Sequence, residues 1–258
     1  MEKKYFDLTG HVAIVTGCST GLGVQMAKAL ASQGCNIVPV ARRQNLIEDV
    51  AKEIAEEFGV ETFAVRCDIT DTDMVNDMVA KVLDHFGRVD ILINNAGTGA
   101  VAPAEDITDD QFANEMNIDL FGSFKVARAV AKQAMIPANY GRIINIASMY
   151  GLVGNKIAGS APYHAAKGGV VNLTRALAAE WGKYAITVNA ICPGYFYTDL
   201  TRDTLNSDFF QQNAKTMIPM ERYGDTGELD ASAIFLASPG ATYVTGVMLP
   251  VDGGYTCM

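Results

Sequence analysis

Short runs of apolar, often β-branched residues alternate along this chain with longer stretches in which apolar positions recur at helical spacing. Val12–Val15, Asn36–Ala41, Thr62–Arg66, Val89–Ile93, Gly141–Ala147, Ile186–Ala190 and Val247–Leu249 read as strands. Helices are predicted over Gly21–Gln33, Leu46–Phe58, Met74–Phe86, Gln111–Ala134, Tyr163–Trp181 and Glu228–Ala237. The strands are apolar nearly throughout instead of alternating with polar residues, which is the mark of a parallel sheet covered on both faces. The pattern predicts an α/β fold: one doubly wound domain over 1–258, its central parallel sheet flanked by helices on both sides. No linker rich in Pro, Gly or Ser divides it. Two connections, Met149–Pro162 and Gly194–Gly227, are longer than joining requires, and both leave the carboxyl ends of strands, where open parallel sheets bind ligands. The second is expected to form a lid over a substrate.

Composition narrows the function classes. With 49% hydrophobic and 19% charged residues the chain is too apolar for disorder, and no apolar stretch approaches the roughly 20 residues of a membrane span. Behind Lys3 and Lys4 the N-terminus turns polar without the apolar core of a secretory signal, which predicts a cytoplasmic location. A net charge of −9 repels a phosphate backbone, so nucleic acid is not an expected partner. The five cysteines (Cys18, Cys35, Cys67, Cys192, Cys257) are scattered and read as reduced thiols. His11, His85 and His164 are equally dispersed, and no metal site is expected.

Candidate chemistry begins after the first strand, at Thr16-Gly17-Cys18-Ser19-Thr20-Gly21-Leu22-Gly23. Glycines let the backbone turn sharply and approach a pyrophosphate, while helix N–H groups and the helix dipole favour the anion. A strand before and an amphipathic helix after make this a dinucleotide-binding turn of a Rossmann-type domain. The second strand ends at Ala41, where an acidic residue would accept hydrogen bonds from the adenosine ribose of NAD. Ala41 cannot. Arg42 and Arg43 can instead clamp a 2′-phosphate by charge-assisted bonds, with Ser19 and Thr20 as hydroxyl donors, so NADP(H) is the predicted cofactor.

Tyr163 and Lys167 are four apart in a predicted helix, and their side chains emerge on one face. A phenol ionises near pKa ~10, and an adjacent ammonium pulls that value toward the range useful for proton transfer. Ser148, at the end of the fifth strand, precedes this pair. Together with the G-x-x-x-G-x-G spacing, Asn94-Asn95-Ala96-Gly97 and Pro193-Gly194, these motifs resemble the classical short-chain dehydrogenase/reductase family over essentially the whole chain. The resemblance implies an NADP(H)-dependent enzyme that interconverts a secondary alcohol and a ketone. It implies that Ser148 orients the substrate oxygen, Tyr163 exchanges the proton, and Lys167 lowers the phenol pKa and holds the nicotinamide ribose. Asn117 matches the family asparagine that supports a water-mediated relay to Lys167, and a local helix distortion there would suit a water. Asp68 and Ile69 would meet the adenine, and Asn95, Ala96 and Gly97 would line the cleft. Pro193, Gly194 and Thr198 would lie against the nicotinamide; for Asn94 a structural role and a ligand contact both stand open.

A homotetramer is also implied, and Val126, Val130, Val170, Leu173 and Leu177 offer apolar stripes for a symmetry mate or for core packing. Pro193–Thr201 and Arg222–Leu229 are similar to the gluconate 5-dehydrogenase-like subgroup. Its sugar-acid members commonly carry paired arginines after the N-N-A-G motif, whereas Thr98–Pro103 holds no cation. The lid instead carries Tyr195, Phe196, Tyr197, Phe209, Phe210, Met217, Ile218 and Met220, either an adaptable apolar wall or packing between lid and body. With Leu152, Val153 and Ile157, such a wall predicts a bulky hydroxysteroid such as a bile acid. A sugar acid or polyol, or a 3-oxoacyl thioester, is the alternative, and a nucleotide-sensing regulator the non-enzyme one.

Overall fold

In the computed structural model, residues 5–99, 101–156, 159–198 and 201–258 are described, with side chains except those at 204, 209 and 213–215. Its strands are β1 (Val12–Thr16), β2 (Asn36–Ala41), β3 (Val65–Arg66), β4 (Ile91–Asn94), β5 (Gly141–Ile146), β6 (Ile186–Pro193) and β7 (Met248–Val251). They form one sheet in the order β3-β2-β1-β4-β5-β6-β7, parallel at every pairing. The reversal of direction between β1 and β4 opens the crevice in which such sheets bind ligands. Every residue of β1, β4, β5 and β6 is buried, which explains why their sequences do not alternate.

Successive residues still serve opposite layers. Val12 and Ile14 pack with α3 (Thr72–Phe86), α5 (Ser123–Val130) and α7 (Ala161–Trp181). Ala13 and Val15 face α1 (Gly21–Ala31), α2 (Gln44–Phe58) and α10 (Asp230–Ala237) on the other side. Each fully buried aliphatic side chain contributes about 1.5–3 kcal/mol. Local signals set the helix ends. Asp71 caps α3 by accepting from the Asp73 and Met74 N–H groups, and Gly87 ends it at φ +72°. Thr108 and Gln111 form a reciprocal capping box at the start of α4 (Asp109–Glu115).

The helix predicted over Gln111–Ala134 is a continuous rod with two wide turns. α4 runs through a π-helical stretch at Met116–Gly122 into α5, then through a second at Ala131–Met135 into α6 (Ile136–Ala138). Within the first, the Ser123 hydroxyl donates to the Asp119 carbonyl. Such π-turns mark functional positions in many helices. The strand expected over Thr62–Arg66 contracts to β3 with one bridge between Ile37 and Thr62. The edge pairs only with β2, and Phe63 turns aside to stack on His85.

Two expectations about apolar faces need correction. Val126, Val130, Val170 and Leu177 are buried by the chain's own sheet, and Leu173 packs on the same core, so these residues leave no free stripe. The Gly194–Gly227 connection, expected as a lid, contains two helices that the pattern did not predict, α8 (Arg202–Asn206) and α9 (Asp208–Met217). Its Leu205 and Phe210 are fully buried, with Tyr195, Met217 and Tyr223 packed around them. Phe196 and Ile218 are buried as well, and Leu152 packs against α7 and β6. Most of the expected apolar wall is therefore internal packing of the lid and body. Tyr197 and Met220 remain exposed; Ile157 and the Phe209 side chain lie outside the described residues.

Candidate active site

A cleft of about 500 Å³ opens at the carboxyl ends of the central strands. Gly17, Ser19, Thr20, Gly21 and Leu22 form one wall. Gly17 has φ +66°, and a Cβ there would stand 2.8 Å from the Ala96 Cα and the Asn95 amide nitrogen. Gly23 lies beneath the turn, where a Cβ would meet that amide and the Gly17 carbonyl at 2.6 Å. The turn is pinned from β4. Asn95 Nδ2 donates to the Thr16 and Gly17 carbonyls, and Thr16 Oγ1 accepts from the Asn95 and Ala96 N–H groups. A backbone with no side chains at its closest approaches suits a pyrophosphate.

Ala41, Arg42, Arg43, Asp68, Ile69 and Thr70 line the far end. Arg43 Nη2 donates to Ser19 Oγ at 2.9 Å, so the guanidinium spans from β2 to the glycine turn. Asp68 accepts from the Thr70 N–H and hydroxyl. Burial works against its charge, but these bonds and the fields of Arg42 and Arg66 hold the carboxyl below its ordinary range. Asn95, Ala96 and Gly97 line the middle, with Pro193, Gly194 and Thr198 opposite. Asn94 faces away from the cleft and is structural: its Nδ2 donates to the Ser123 carbonyl and to Asn145 Oδ1.

Ser148, Tyr163 and Lys167 come together at the near end. Ser148, two residues beyond β5, caps a short turn by accepting from the Tyr150 N–H, and Tyr163 stands in the first turn of α7. The Lys167 Nζ lies 5.5 Å from the centre of the Tyr163 ring and donates to the Ile146 carbonyl at 3.1 Å. Its charged partner is Asp119 Oδ2 at 3.2 Å, in the first π-helical stretch. Burial of Lys167 opposes its charge, but the Asp119 carboxylate, the Tyr163 phenol and Glu115 outweigh it, and the ammonium is held above the usual lysine range. These groups can orient an oxygen, exchange its proton and keep a compensating cation beside the phenol.

A family model described as enoyl-(acyl carrier protein) reductase matches residues 17–256. The gluconate 5-dehydrogenase of Gluconobacter oxydans (strain 621H) is 38% identical over 97% of this chain and 96% of its own. The chain belongs to the classical short-chain dehydrogenase/reductase family. It is an oxidoreductase of that family, whose members similar to it include a 3-oxoacyl-[acyl-carrier-protein] reductase of Synechocystis sp. (strain ATCC 27184 / PCC 6803 / Kazusa), 38% identical over 96% of this chain and 97% of its own. The galactitol 2-dehydrogenase (L-tagatose-forming) of Cereibacter sphaeroides is 36% identical over 98% of both chains. The solved gluconate 5-dehydrogenase of Burkholderia cenocepacia J2315, in complex with NADP and tartrate, superposes with a TM-score of 0.94 at 35% identity, over 98% of each chain.

As a short-chain dehydrogenase/reductase, the chain departs from the expected relay residue. Asn117 is exposed and does not line the cleft, because the buried positions on this helix are Glu115, at the end of α4, and Asp119, in the π-helical stretch. Asp119 takes the place beside Lys167. Glu115 and Asp119 are four apart on a helix that passes the site, but the π-helical stretch between them hides from the sequence which face they take. Arg66 was also missed. It ends β3, and its Nε donates to the Arg42 carbonyl, which adds a third guanidinium to the same corner. Among the described residues no helix is long and apolar enough to cross a membrane, and no group of His, Cys, Asp and Glu is arranged to hold a metal ion.

Proposed function

We propose that this protein is an NADP(H)-dependent dehydrogenase acting at a secondary alcohol, or the matching ketone, of a small polyhydroxylated substrate: a polyol or a sugar acid. The observation that carries this reading is the packing of the lid. Leu205, Phe210, Tyr195, Met217 and Tyr223 face one another and not the cleft, which removes most of the apolar wall a hydroxysteroid would need. Thr98, Ser148, Tyr163, Thr198 and Thr201 supply hydroxyl groups to the cleft, beside the apolar Ile118, Ala147 and Phe196. Each substrate hydroxyl buried without a partner costs about 1–3 kcal/mol, so a ring of hydroxyl groups favours a polyol over a steroid. The relatives named for gluconate and galactitol support the same class. No cation stands in Thr98–Pro103 to clamp a carboxylate, which puts the polyol ahead of the sugar acid.

The site fits the cofactor on its own geometry, because the glycine turn leaves a side-chain-free cradle and Arg43 and Ser19 meet at its rim. Gly17, Ser19, Thr20, Gly21 and Leu22 would hold the pyrophosphate, with Gly23 beneath. Arg42 and Arg43 would hold the 2′-phosphate, Asp68 and Ile69 the adenine, and Pro193, Gly194 and Thr198 the nicotinamide. When bound, the cofactor supplies or accepts a hydride. The chain's own part is proton transfer: Ser148 orients the substrate oxygen, Tyr163 takes or gives its proton, and Lys167 keeps a positive charge beside the phenol. The Gly194–Gly227 segment acts as the lid, within a single domain.

Four of the five cysteines are buried free thiols, in keeping with a cytoplasmic enzyme. A homotetramer is part of the reading, supported now by exposed Phe112 and Phe121 on the α4–π segment, and light scattering at the monomer mass would reject it. The substrate class is tested by NADP-linked turnover on polyols, sugar acids, bile acids and 3-oxoacyl thioesters. The highest kcat/KM is expected on a polyol or sugar acid, and a higher value on a bile acid or thioester overturns the reading.

A further inference from the structure

The group facing Lys167 from the π-helical stretch is a carboxylate, and its surroundings are built around it. Asp119 is fully buried. Its Oδ1 accepts from the Thr98 N–H at 2.8 Å, which ties it to the segment after β4. Its Oδ2 meets the Lys167 ammonium at 3.2 Å. The ammonium in turn donates to the Ile146 carbonyl at the end of β5. One carboxylate therefore links the ends of two central strands to the first turns of α7, where Tyr163 stands. The ammonium is thus held by a hydrogen bond to Ile146 and by the charge of Asp119, in the wall of the cleft that Lys167 lines.

We propose that Asp119 is a positioning residue of the proton-transfer step: it fixes the Lys167 ammonium beside Tyr163, and its charge sets the pH at which the Tyr163–Lys167 pair releases a proton. The proposal rests on the reading of that pair as the proton-transfer groups. An amide at position 119 could keep the geometry but not the charge, so the two parts of the role are separable by one substitution.

The sign follows from electrostatics. The groups that act on Lys167 are Asp119 and Glu115 from the α4–π segment and Tyr163 on its own helix, while Lys167 itself lowers the Cys192 thiol on β6 against the upward push of burial. A nearby negative charge makes every proton of the pair harder to remove, whether it leaves from the phenol or from the ammonium. Neutralising Asp119 therefore moves the first deprotonation of the pair to lower pH by about one unit, at the lower end of what a close charge produces. Glu115 still faces the lysine in that variant and keeps part of the field.

The test compares wild type, Asp119→Asn and Tyr163→Phe. The first readout is the pH profile of kcat/KM for alcohol oxidation with the best substrate of the panel. The second is the near-ultraviolet phenolate absorbance of the protein without cofactor, with the Tyr163→Phe titration subtracted to isolate Tyr163. Both transitions are expected about one unit lower in Asp119→Asn. Should asparagine fail to fold, Asp119→Ser removes the same charge and must shift the absorbance in the same direction. Unmoved transitions in a folded variant overturn the role of Asp119 alone, provided Tyr163→Phe has lost turnover. Retained turnover in Tyr163→Phe overturns the pair itself, and the role of Asp119 with it.

Discussion

Removing the guanidinium groups at the end of β2 should abolish the preference for NADPH while sparing NADH. Arg43 already spans to Ser19 with a 2.9 Å bond, and the Arg42 backbone is held by Arg66 at 3.2 Å, so neither residue has far to move to meet a 2′-phosphate. A hydrogen bond to a charged group contributes about 1.5–3 kcal/mol. Both arginines are exposed, so screening places them at the lower end. Two such bonds amount to about 3 kcal/mol, or about 100-fold in kcat/KM at 1.4 kcal/mol per tenfold. The variant Arg42→Leu with Arg43→Leu should lose that much with NADPH and change by less than about threefold with NADH, whose ribose has no phosphate to lose. Adding Ala41→Asp supplies a ribose acceptor and should raise the NADH rate. Initial rates with both cofactors at saturating ketone measure each value, and the wild-type preference should shrink as salt is added. Equal losses with the two cofactors, or a wild type that already prefers NADH, would refute the assignment of this corner.

Other consequences are local. Thr174 is fully buried and accepts from Asn145 Nδ2 at 2.9 Å, so Thr174→Val should destabilise the protein by about 1–3 kcal/mol through an orphaned amide; an unchanged urea midpoint would count against this. Phe210→Ala should loosen the lid core by about 3–5 kcal/mol and speed amide exchange in α8 and α9, whereas unaltered exchange would mean that Phe210 does not hold them. Glu228 is held down to about 2 by the hydrogen bond from Arg222 and the Asp225 N–H. Because its folded value is depressed, the contact is present above the ordinary carboxyl pKa and is lost as pH falls through about 2. NMR titration of the Glu228 carboxyl reads this directly, and a midpoint in the ordinary carboxylate range contradicts it.

Much of the fold was legible because the sheet is buried on both faces. Strands such as Val12–Thr16 and Ile91–Asn94 have a polar residue only at their last position, so little confuses the pattern. The glycine turn and the Tyr163–Lys167 pair were legible for a related reason: their spacing is dictated by backbone geometry next to a ligand. Asp119 was not, since the inward face of a helix can be counted from the sequence only while 3.6 residues make a turn, and the π-helical stretch at Met116–Gly122 breaks that count. Asn117 had the residue type the resemblance calls for and the wrong side of the helix. Val126, Val130 and the lid aromatics failed differently. An apolar residue reads the same whether it meets a core, a partner or a substrate, and only tertiary packing distinguishes Phe210 inside the lid from Phe210 above a ligand. Arg66 lies on a strand the pattern did predict, but its approach to Arg42 comes from the pairing of β3 with β2, which the sequence does not show.

The claim on which the rest depends is that Tyr163 exchanges the substrate proton beside Lys167 in the cleft below the glycine turn. Tyr163→Phe removes one oxygen from a ring that otherwise keeps its place in α7. The direct measurement is kcat for this variant against wild type on the best substrate, with NADPH affinity determined separately by fluorescence. The account predicts a loss of about 10²–10⁴-fold in kcat, the usual worth of general acid–base help, with NADPH binding unchanged within about threefold. Turnover close to wild type would contradict it.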